Sequence, residues 1–216
     1  MAQIFHRSSN SLAKVSIAAA LLTVSGIVWA AYKLDQGSFN TLVDVAREQP
    51  VPFSHKHHVG DDGIDCRYCH TSVETSAFAG VPPTETCMSC HSQIWNTAEI
   101  LEPVRASLRS GKSLEWTRVH DLPDFVYFNH SIHVNKGIGC STCHGRIDQM
   151  PLTRKVNTLF MQWCIECHRA PQNYIRPRDQ VFNIAYQYPD NQEELGTRLV
   201  QEYKVQSLTD CVTCHR

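Results

Sequence analysis

The chain has 216 residues, of which 42% are hydrophobic and 9% are aromatic. This length accommodates one or two small domains, and the apolar content is modest for a compact protein core. The formal net charge of −1 excludes the strongly basic surface that nucleic-acid binding requires, so no nucleic-acid partner is expected.

The N-terminal segment predicts a membrane helix. Residues 15–32 carry no charge and are rich in Ala, Leu, Ile and Val, and their length is close to the shortest that crosses a bilayer. Arg7 and Lys14 precede this stretch and no acidic residue occurs before Asp35, so the positive-inside rule places the N-terminus in the cytoplasm. We expect an uncleaved single-pass anchor, and a signal peptide cleaved near residues 29–31 is the alternative.

Five copies of Cys-x-x-Cys-His contain all ten cysteines. This is the pattern of covalent c-type haem attachment, in which two thiols form thioethers and the adjacent imidazole, the proximal ligand, binds the iron. One helical turn places both thiols along one edge of a porphyrin. Zinc sites and disulfides also use cysteine pairs, but neither requires a histidine after each second cysteine. The five predicted haem sites are site 1 (Cys66, Cys69, His70), site 2 (Cys87, Cys90, His91), site 3 (Cys140, Cys143, His144), site 4 (Cys164, Cys167, His168) and site 5 (Cys211, Cys214, His215).

The sequence around these sites repeats with a period of about 75 residues. Phe-x-His-x-x-His-Val begins at Phe53 before site 1 and at Phe128 before site 3, and each copy continues through Gly-Ile into a haem site. We therefore predict two modules with two haems each. The predicted segments are a cytoplasmic N-terminus 1–14, a transmembrane anchor 15–32, a connector helix 33–52, a first module 53–95, a helical connector 96–127, a second module 128–170 and a C-terminal segment 171–216 that carries site 5.

Apolar spacing predicts three connecting helices. One covers residues 38–49, a second covers 97–110 and ends at Gly111, and a third opens on a capping box formed by Asp190 and Glu193. No segment shows the alternation typical of a strand. The predicted fold is mainly α with many loops, comprising one N-terminal transmembrane helix and a multihaem domain whose core is the haems.

Five six-coordinate irons require five ligands besides the proximal histidines. The repeat aligns two pairs of histidines that lie three residues apart, whereas His57 aligns with Ile132 and is interpreted as a surface residue. Two histidines of one pair cannot share an iron, because the porphyrin and the proximal imidazole leave one open position. Each pair must therefore serve two neighbouring haems. The distal ligands predicted from the repeat are His55, His58, His130 and His133.

His120 is the predicted fifth distal ligand, since His6 lies before the membrane segment. The alternatives are an interfacial role for His120 and a thioether ligand, which would give one His/Met haem of higher potential. The candidate methionines are Met88, Met150 and Met161, each of which also fits a packing role.

The Phe-x-His-x-x-His-Val element followed by Cys-x-x-Cys-His resembles the multihaem class III cytochromes c, of the c3 and c7 type, over residues 53–170. The single span, the five sites, the stretch Val-His-Asp-Leu-Pro-Asp-Phe-Val at 119–126 and the C-terminal position of site 5 resemble the membrane-anchored pentahaem subunit of bacterial alternative complex III. The resemblance to that subunit implies five haem c groups in a periplasmic domain tethered to the inner membrane. It also implies three kinds of partner, namely an iron–sulfur protein, polytopic quinol-binding subunits and a monohaem cytochrome c.

These features predict an electron-transfer subunit with no catalytic site of its own. It would relay electrons from quinol oxidation through five haems towards a cytochrome or a terminal oxidase. Two alternatives are a multihaem reductase with one open haem and a stand-alone quinol dehydrogenase that feeds periplasmic reductases. Six-coordinate irons favour electron transfer, because they leave no position for a substrate.

Overall fold

A computed structural model describes residues 4–215. The chain divides into two compact units, Met1–Val43 and Asp44–Arg216. The first unit holds the predicted membrane segment, and the second holds all five haem sites.

The membrane segment forms one uninterrupted helix, α1, over Ser9–Asp35. Its 27 residues extend about 40 Å, which exceeds the roughly 30 Å of a bilayer core. The helix is apolar enough to cross a membrane, with a mean hydropathy of 1.8 over its best window, and none of that window is buried in the protein. It is longer than the predicted 15–32 at both ends. Length and composition are therefore those of a membrane anchor or of a signal sequence.

The predicted connector helix over residues 38–49 is wrong. Helix α2 covers only Ser38–Thr41, and the chain then leaves the helical region at Leu42 and Asp44, whose φ angles are 56° and 58°. Positive φ is incompatible with a right-handed helix. The apolar spacing of this segment thus does not reflect a continuous helix.

The haem-bearing unit consists of short helices and loops. Within residues 4–215 no sheet is present, and the backbones of Ile138 and Ile175 form an isolated antiparallel bridge. The prediction of a mainly α fold with many loops is confirmed. The helices are α3 (Cys66–Cys69), α4 (Thr84–His91), α5 (Glu102–Ser110), α6 (His130–Asn135), α7 (Cys140–His144), α8 (Met161–Arg169), α9 (Gln192–Glu202) and α10 (Cys211–Cys214). Single turns of 3-10 helix occur at Glu99–Leu101, Ile147–Gln149, Pro171–Asn173 and Arg178–Gln180, and Lys56–Asp61 forms a π-helical segment.

Two connecting helices of this unit match their predictions in part. Helix α5 ends at Gly111, whose φ of 66° is the left-handed conformation that glycine adopts readily. Helix α9 also forms, but the predicted capping box is wrong, because the N-cap residue is Asn191 and no side chain caps the helix.

Apolar side chains form only two small clusters in this unit. One contains Val51, Leu101 and Val104, and the other contains Ile175 and Leu199 together with Tyr203. Among residues 4–215 just nine hydrophobic side chains are buried. Burial on this scale is small for a chain of this length. It supports the prediction that the haems make up most of the core.

Candidate haem sites

Every Cys-x-x-Cys pair lies on a helical turn. At sites 1, 3 and 5 the turn is a short helix of its own, whereas α4 and α8 carry sites 2 and 4 near their C-terminal ends. All ten thiols are free. Among residues 4–215 no group of three or more His, Cys, Asp or Glu side chains is arranged to hold a metal ion. The structure therefore supports neither the zinc nor the disulfide alternative.

Hydrogen bonds orient three of the proximal histidines. His70 Nδ1 lies 2.7 Å from the Gly80 carbonyl oxygen, and His91 Nδ1 lies 3.1 Å from that of Ile94. His215 Nδ1 contacts the backbone carbonyl of residue 125 at 3.1 Å. A carbonyl oxygen only accepts, so Nδ1 carries the proton and donates. Nε2 is then the lone-pair nitrogen that can bind iron.

Three of the predicted distal histidines show the same orientation. His58 Nδ1 donates to the carbonyl of residue 54 at 2.9 Å, and His133 Nδ1 donates to that of residue 129 at 2.7 Å. His130 Nδ1 donates across the repeat to the Ala77 carbonyl at 2.9 Å. Each of these imidazoles presents Nε2 as a metal ligand. His58, His130 and His133 can therefore ligate haem iron through Nε2.

Two distal histidines face proximal ones at the separation that bis-histidine ligation requires. The ring centroids of His58 and His91 lie 6.1 Å apart, and those of His133 and His168 also lie 6.1 Å apart. Two imidazoles on opposite sides of one metal ion, with bonds of about 2 Å, place their centroids about 6 Å apart. Sites 2 and 4 therefore have room for one iron between a distal and a proximal histidine.

The aromatic residue that opens each module supports this arrangement. The Phe53 ring stacks on His58 at 4.5 Å, and the Phe128 ring stacks on His133 at 4.4 Å. The interplanar angles, 22° and 27°, are also alike. The internal repeat seen in the sequence is thus a repeat of side-chain geometry.

The remaining candidates cluster around sites 1 and 3. Burial, together with His70, lowers the pKa of His55 to about 4, and burial, together with Lys155, lowers that of His120 to about 4. Burial also holds the pKa of His144 well below its ordinary value, and His120 adds to this effect. These imidazoles are neutral at physiological pH, and a neutral imidazole is the form that ligates a metal.

His120 is half-buried, and its Nε2 atom is buried without a hydrogen-bond partner among residues 4–215. Its ring packs against His144 with the centroids 4.2 Å apart. This separation is too short for an iron between the two rings. His120 therefore has a free ligand atom beside site 3 but does not lie opposite His144.

The two modules exchange contacts through the first histidine of each pair. His55 of the first module lies with its Nδ1 2.9 Å from Thr153 Oγ1 of the second module. In the same way, His130 of the second module contacts Ala77 of the first. The loops that follow sites 1 and 3 thus each support a histidine from the other module. The modules form one reciprocal unit rather than two independent ones.

Three histidines lie away from this cluster. His57 is at the surface, as predicted, with Nε2 3.6 Å from Asp62 and its ring stacked near Trp95. His6 is exposed, and its ring Nδ1 lies 2.8 Å from Ser8 Oγ and accepts a hydrogen bond from the Ser8 backbone amide at 3.3 Å. His215 packs against the ring of residue 125, and within residues 4–215 no second imidazole packs against it. Of the five sites, site 5 has the least complete ligand set.

The candidate methionines differ in burial. Met88 packs against the cluster around Val51, Met150 is only 1% exposed, and Met161 is 68% exposed. The packing role predicted for Met88 and Met150 agrees with these positions.

Sequence reasoning missed Arg176. Its side chain is 1% exposed and hydrogen-bonds the helical turn of site 3. One signal was present in the sequence: Gly139 precedes site 3, whereas Asp65 precedes site 1 at the matching position. A glycine before the motif leaves space for a large side chain from elsewhere in the fold.

Comparison with known proteins finds similarity to multihaem cytochromes c. Residues 126–216 match the family model described as cytochrome c7 and related cytochrome c. The chain is also similar to the multihaem cytochrome c subunit of menaquinone reductase from Nitratidesulfovibrio vulgaris, with 38% identity over 108 residues, and it spans 50% of that relative's length and 50% of its own. Residues 126–216 are therefore similar to the cytochrome c7 family.

Proposed function

We propose that this protein is the electron-transfer subunit of a membrane respiratory complex and that it carries five haem c groups. The main support for this proposal is that a distal and a proximal histidine face each other at both site 2 and site 4. In each case the rings are 6.1 Å apart, which leaves room for one iron between them. When bound, each haem iron exchanges one electron. The chain's own residues bind the haems, orient the imidazoles and exclude water. No catalytic site of its own is required.

The proposed distal ligands are assigned by different observations. His58 serves site 2 and His133 serves site 4, on the ring separations. His55 serves site 1, since His70 is the group that, after burial, lowers the pKa of His55 most. His130 serves site 3 by the internal repeat. His120 is proposed as the fifth ligand on the strength of its buried, unpartnered Nε2. Because the other four histidines are assigned to sites 1 to 4, the iron left for it is that of site 5, although its ring lies beside site 3.

The contacts between motifs support a linear order of sites. Sites 2 and 1 touch through Tyr68 and Ser89, whose hydroxyl oxygens lie 2.9 Å apart. Sites 1 and 3 meet at the thiols of Cys66 and Cys140, a contact that lowers the pKa of the first and raises that of the second.

The second module continues this order. Burial and the nearby thiols of site 4 raise the pKa of Cys143 to about 12, and burial and Cys214 of site 5 raise that of Cys164. The proposed order is therefore 2–1–3–4–5. In this order the boundary between the two modules, between sites 1 and 3, lies near the centre, and sites 2 and 5 lie at the ends.

The proposed partners follow from the resemblance to alternative complex III. Electrons from quinol oxidation would enter from an iron–sulfur protein or a polytopic quinol-binding subunit and leave towards a monohaem cytochrome or a terminal oxidase. The name of the relative favours a second candidate, in which electrons run through the haems to menaquinone. Adding a menaquinol analogue to oxidised membranes distinguishes these, because only the first candidate predicts rapid haem reduction.

Helix α1 is proposed to anchor the haem domain at the periplasmic face of the inner membrane. The absence of charge in 15–32 and the basic residues that precede it support this topology. The anchor would hold the haem sites close to membrane-bound partners.

The proposed function predicts three properties of the full-length protein. Membranes washed with alkaline carbonate should retain it, a pyridine haemochrome assay should give five haems per chain, and carbon monoxide should leave the Soret band of the reduced protein unshifted. Release by carbonate would favour a cleaved signal peptide. A clear Soret shift would show an open iron and favour a reductase, with site 5 as the candidate.

Replacing His120 with alanine should convert one low-spin haem to the high-spin form, because it removes the proposed fifth ligand. Electron paramagnetic resonance of the oxidised protein measures the change. His57→Ala is the matched control, since His57 is exposed, and it should leave every haem low-spin. An unchanged spectrum in the His120 variant would contradict the assignment and point to a methionine or to His57.

A further inference from the structure

Arg176 is a buried cation with an unusual set of partners. Its side chain is 1% exposed, and every group that it contacts is neutral. The guanidinium carbon lies 4.6 Å from the ring centre of Tyr186 and 5.2 Å from that of Tyr188. Its hydrogen bonds run from Nη1 to the Asn183 carbonyl (3.2 Å) and from Nη2 to Ser141 Oγ (3.1 Å), Thr142 Oγ1 (3.2 Å) and Tyr188 Oη (3.2 Å).

No carboxylate neutralises this charge. Within the described part of the chain, Arg176 forms no ion pair, and its Nε is buried without a hydrogen-bond partner. A buried charge without a counter-charge is strongly unfavourable, and arginine does not lose its proton to escape the cost. The fold therefore holds a permanent positive charge at this position at a cost in stability.

The charge is located at haem site 3. Ser141 and Thr142 are the two residues between the cysteines of that site, and both accept hydrogen bonds from the guanidinium. Gly139 makes the approach possible, because a Cβ there would collide with the Arg176 guanidinium. The backbone amide of Arg176 also donates a hydrogen bond to the Gly137 carbonyl at 2.9 Å, which holds the backbone of Arg176 beside the motif.

Site 1 lacks this feature, although it is the repeat counterpart of site 3. Asp65 takes the place of Gly139 there and forms an ion pair with Arg67 at 2.8 Å. Both side chains of that pair are about half exposed, at 47% and 49%. A neutralised and hydrated pair contributes little to the electrostatic potential at site 1.

We propose that Arg176 raises the reduction potential of the haem at site 3 above that of the haem at site 1. The inference rests on the proposed haem attachment. A fixed positive charge in a dry environment disfavours the oxidised haem, which carries one more positive charge than the reduced haem. An electron on the haem at site 1 would then meet a more favourable acceptor at site 3, at the boundary between the modules.

The experiment is a redox titration of the detergent-solubilised full-length protein, followed by optical and electron paramagnetic resonance spectra. Arg176→Met and Arg176→Gln should shift the equilibrium of one haem about tenfold towards the oxidised form, which corresponds to about 59 mV for one electron. Arg176→Lys, which retains the charge, should shift it less. The matched control is the double variant Asp65→Asn/Arg67→Gln at site 1, which removes a neutral pair and should leave all potentials within experimental error.

Each other outcome overturns the proposal. Unchanged potentials in both neutral variants would show that the charge is not felt at the haem. An equal shift in the lysine variant would assign the effect to packing. Loss of one haem in both neutral variants, counted by pyridine haemochrome, would assign Arg176 to folding of the motif. A haem count below five in the unaltered protein would instead refute the proposed function.

Discussion

Replacing His133 with alanine should turn the haem at site 4 from a six-coordinate low-spin form into a high-spin form that binds carbon monoxide. The His133 and His168 rings lie 6.1 Å apart, and His133 Nδ1 is held by the carbonyl of residue 129, so Nε2 faces the position of the iron. Removing the imidazole leaves one axial position empty. Electron paramagnetic resonance and the Soret shift on addition of carbon monoxide measure this change.

The chain offers a positive and a negative control for this prediction. His58→Ala should give the same result at site 2, because His58 and His91 have the same ring separation and nearly the same interplanar angle. Ile132→Ala removes a neighbouring side chain that is 56% exposed and should change neither spectrum. A fully low-spin, carbon monoxide-insensitive His133 variant would disprove the pairing.

Replacing Cys140 and Cys143 together with alanine should destabilise the whole haem-bearing unit rather than remove one redox centre. An aromatic side chain buries up to about 250 Å² and a porphyrin is larger, so losing this burial costs more than about 5 kcal/mol at 25 cal/mol per Å². That figure is comparable with the total stability of many domains, roughly 5–15 kcal/mol. The two small apolar clusters cannot offset the loss.

Far-UV circular dichroism and thermal unfolding of the purified variant measure the effect. The matched control is the same double substitution at site 5, where Cys211 is exposed and α10 lies at the end of the proposed site order. That variant should lose one haem and retain the other four in a folded domain. A site 3 variant with four haems, a native spectrum and an unchanged Tm would show that the haems are not the core.

The strongest sequence predictions concerned features that are local along the chain. A Cys-x-x-Cys-His motif needs one helical turn, and all five cysteine pairs lie on helical turns. The stop at Gly111 also needed only the conformational preference of one residue. The predicted helix over 38–49 is wrong. Its apolar residues have helical spacing, but the backbone leaves the helical region at Leu42.

The internal repeat predicted part of the tertiary structure, namely the equivalent positions of the two histidine pairs. Equal spacing around Phe53 and Phe128 implied that the two histidine pairs perform equal roles, and the stacked rings have nearly equal distances and angles. The repeat did not reveal that the first histidine of each module contacts the other module. Such reciprocal contacts join residues that are far apart in the chain, and a period alone does not encode them.

The sequence by itself determined the number of haem motifs, the proximal histidines and the apolar N-terminal helix, because each depends on residues within a few turns of one another. Tertiary structure decided that His58 faces His91, that His133 faces His168 and that His120 packs against His144. It also decided that Arg176 is buried against the turn of site 3 while Arg67 remains exposed at site 1. These contacts join residues that are far apart in the chain, so they depend on long-range packing and cannot be predicted from local sequence patterns.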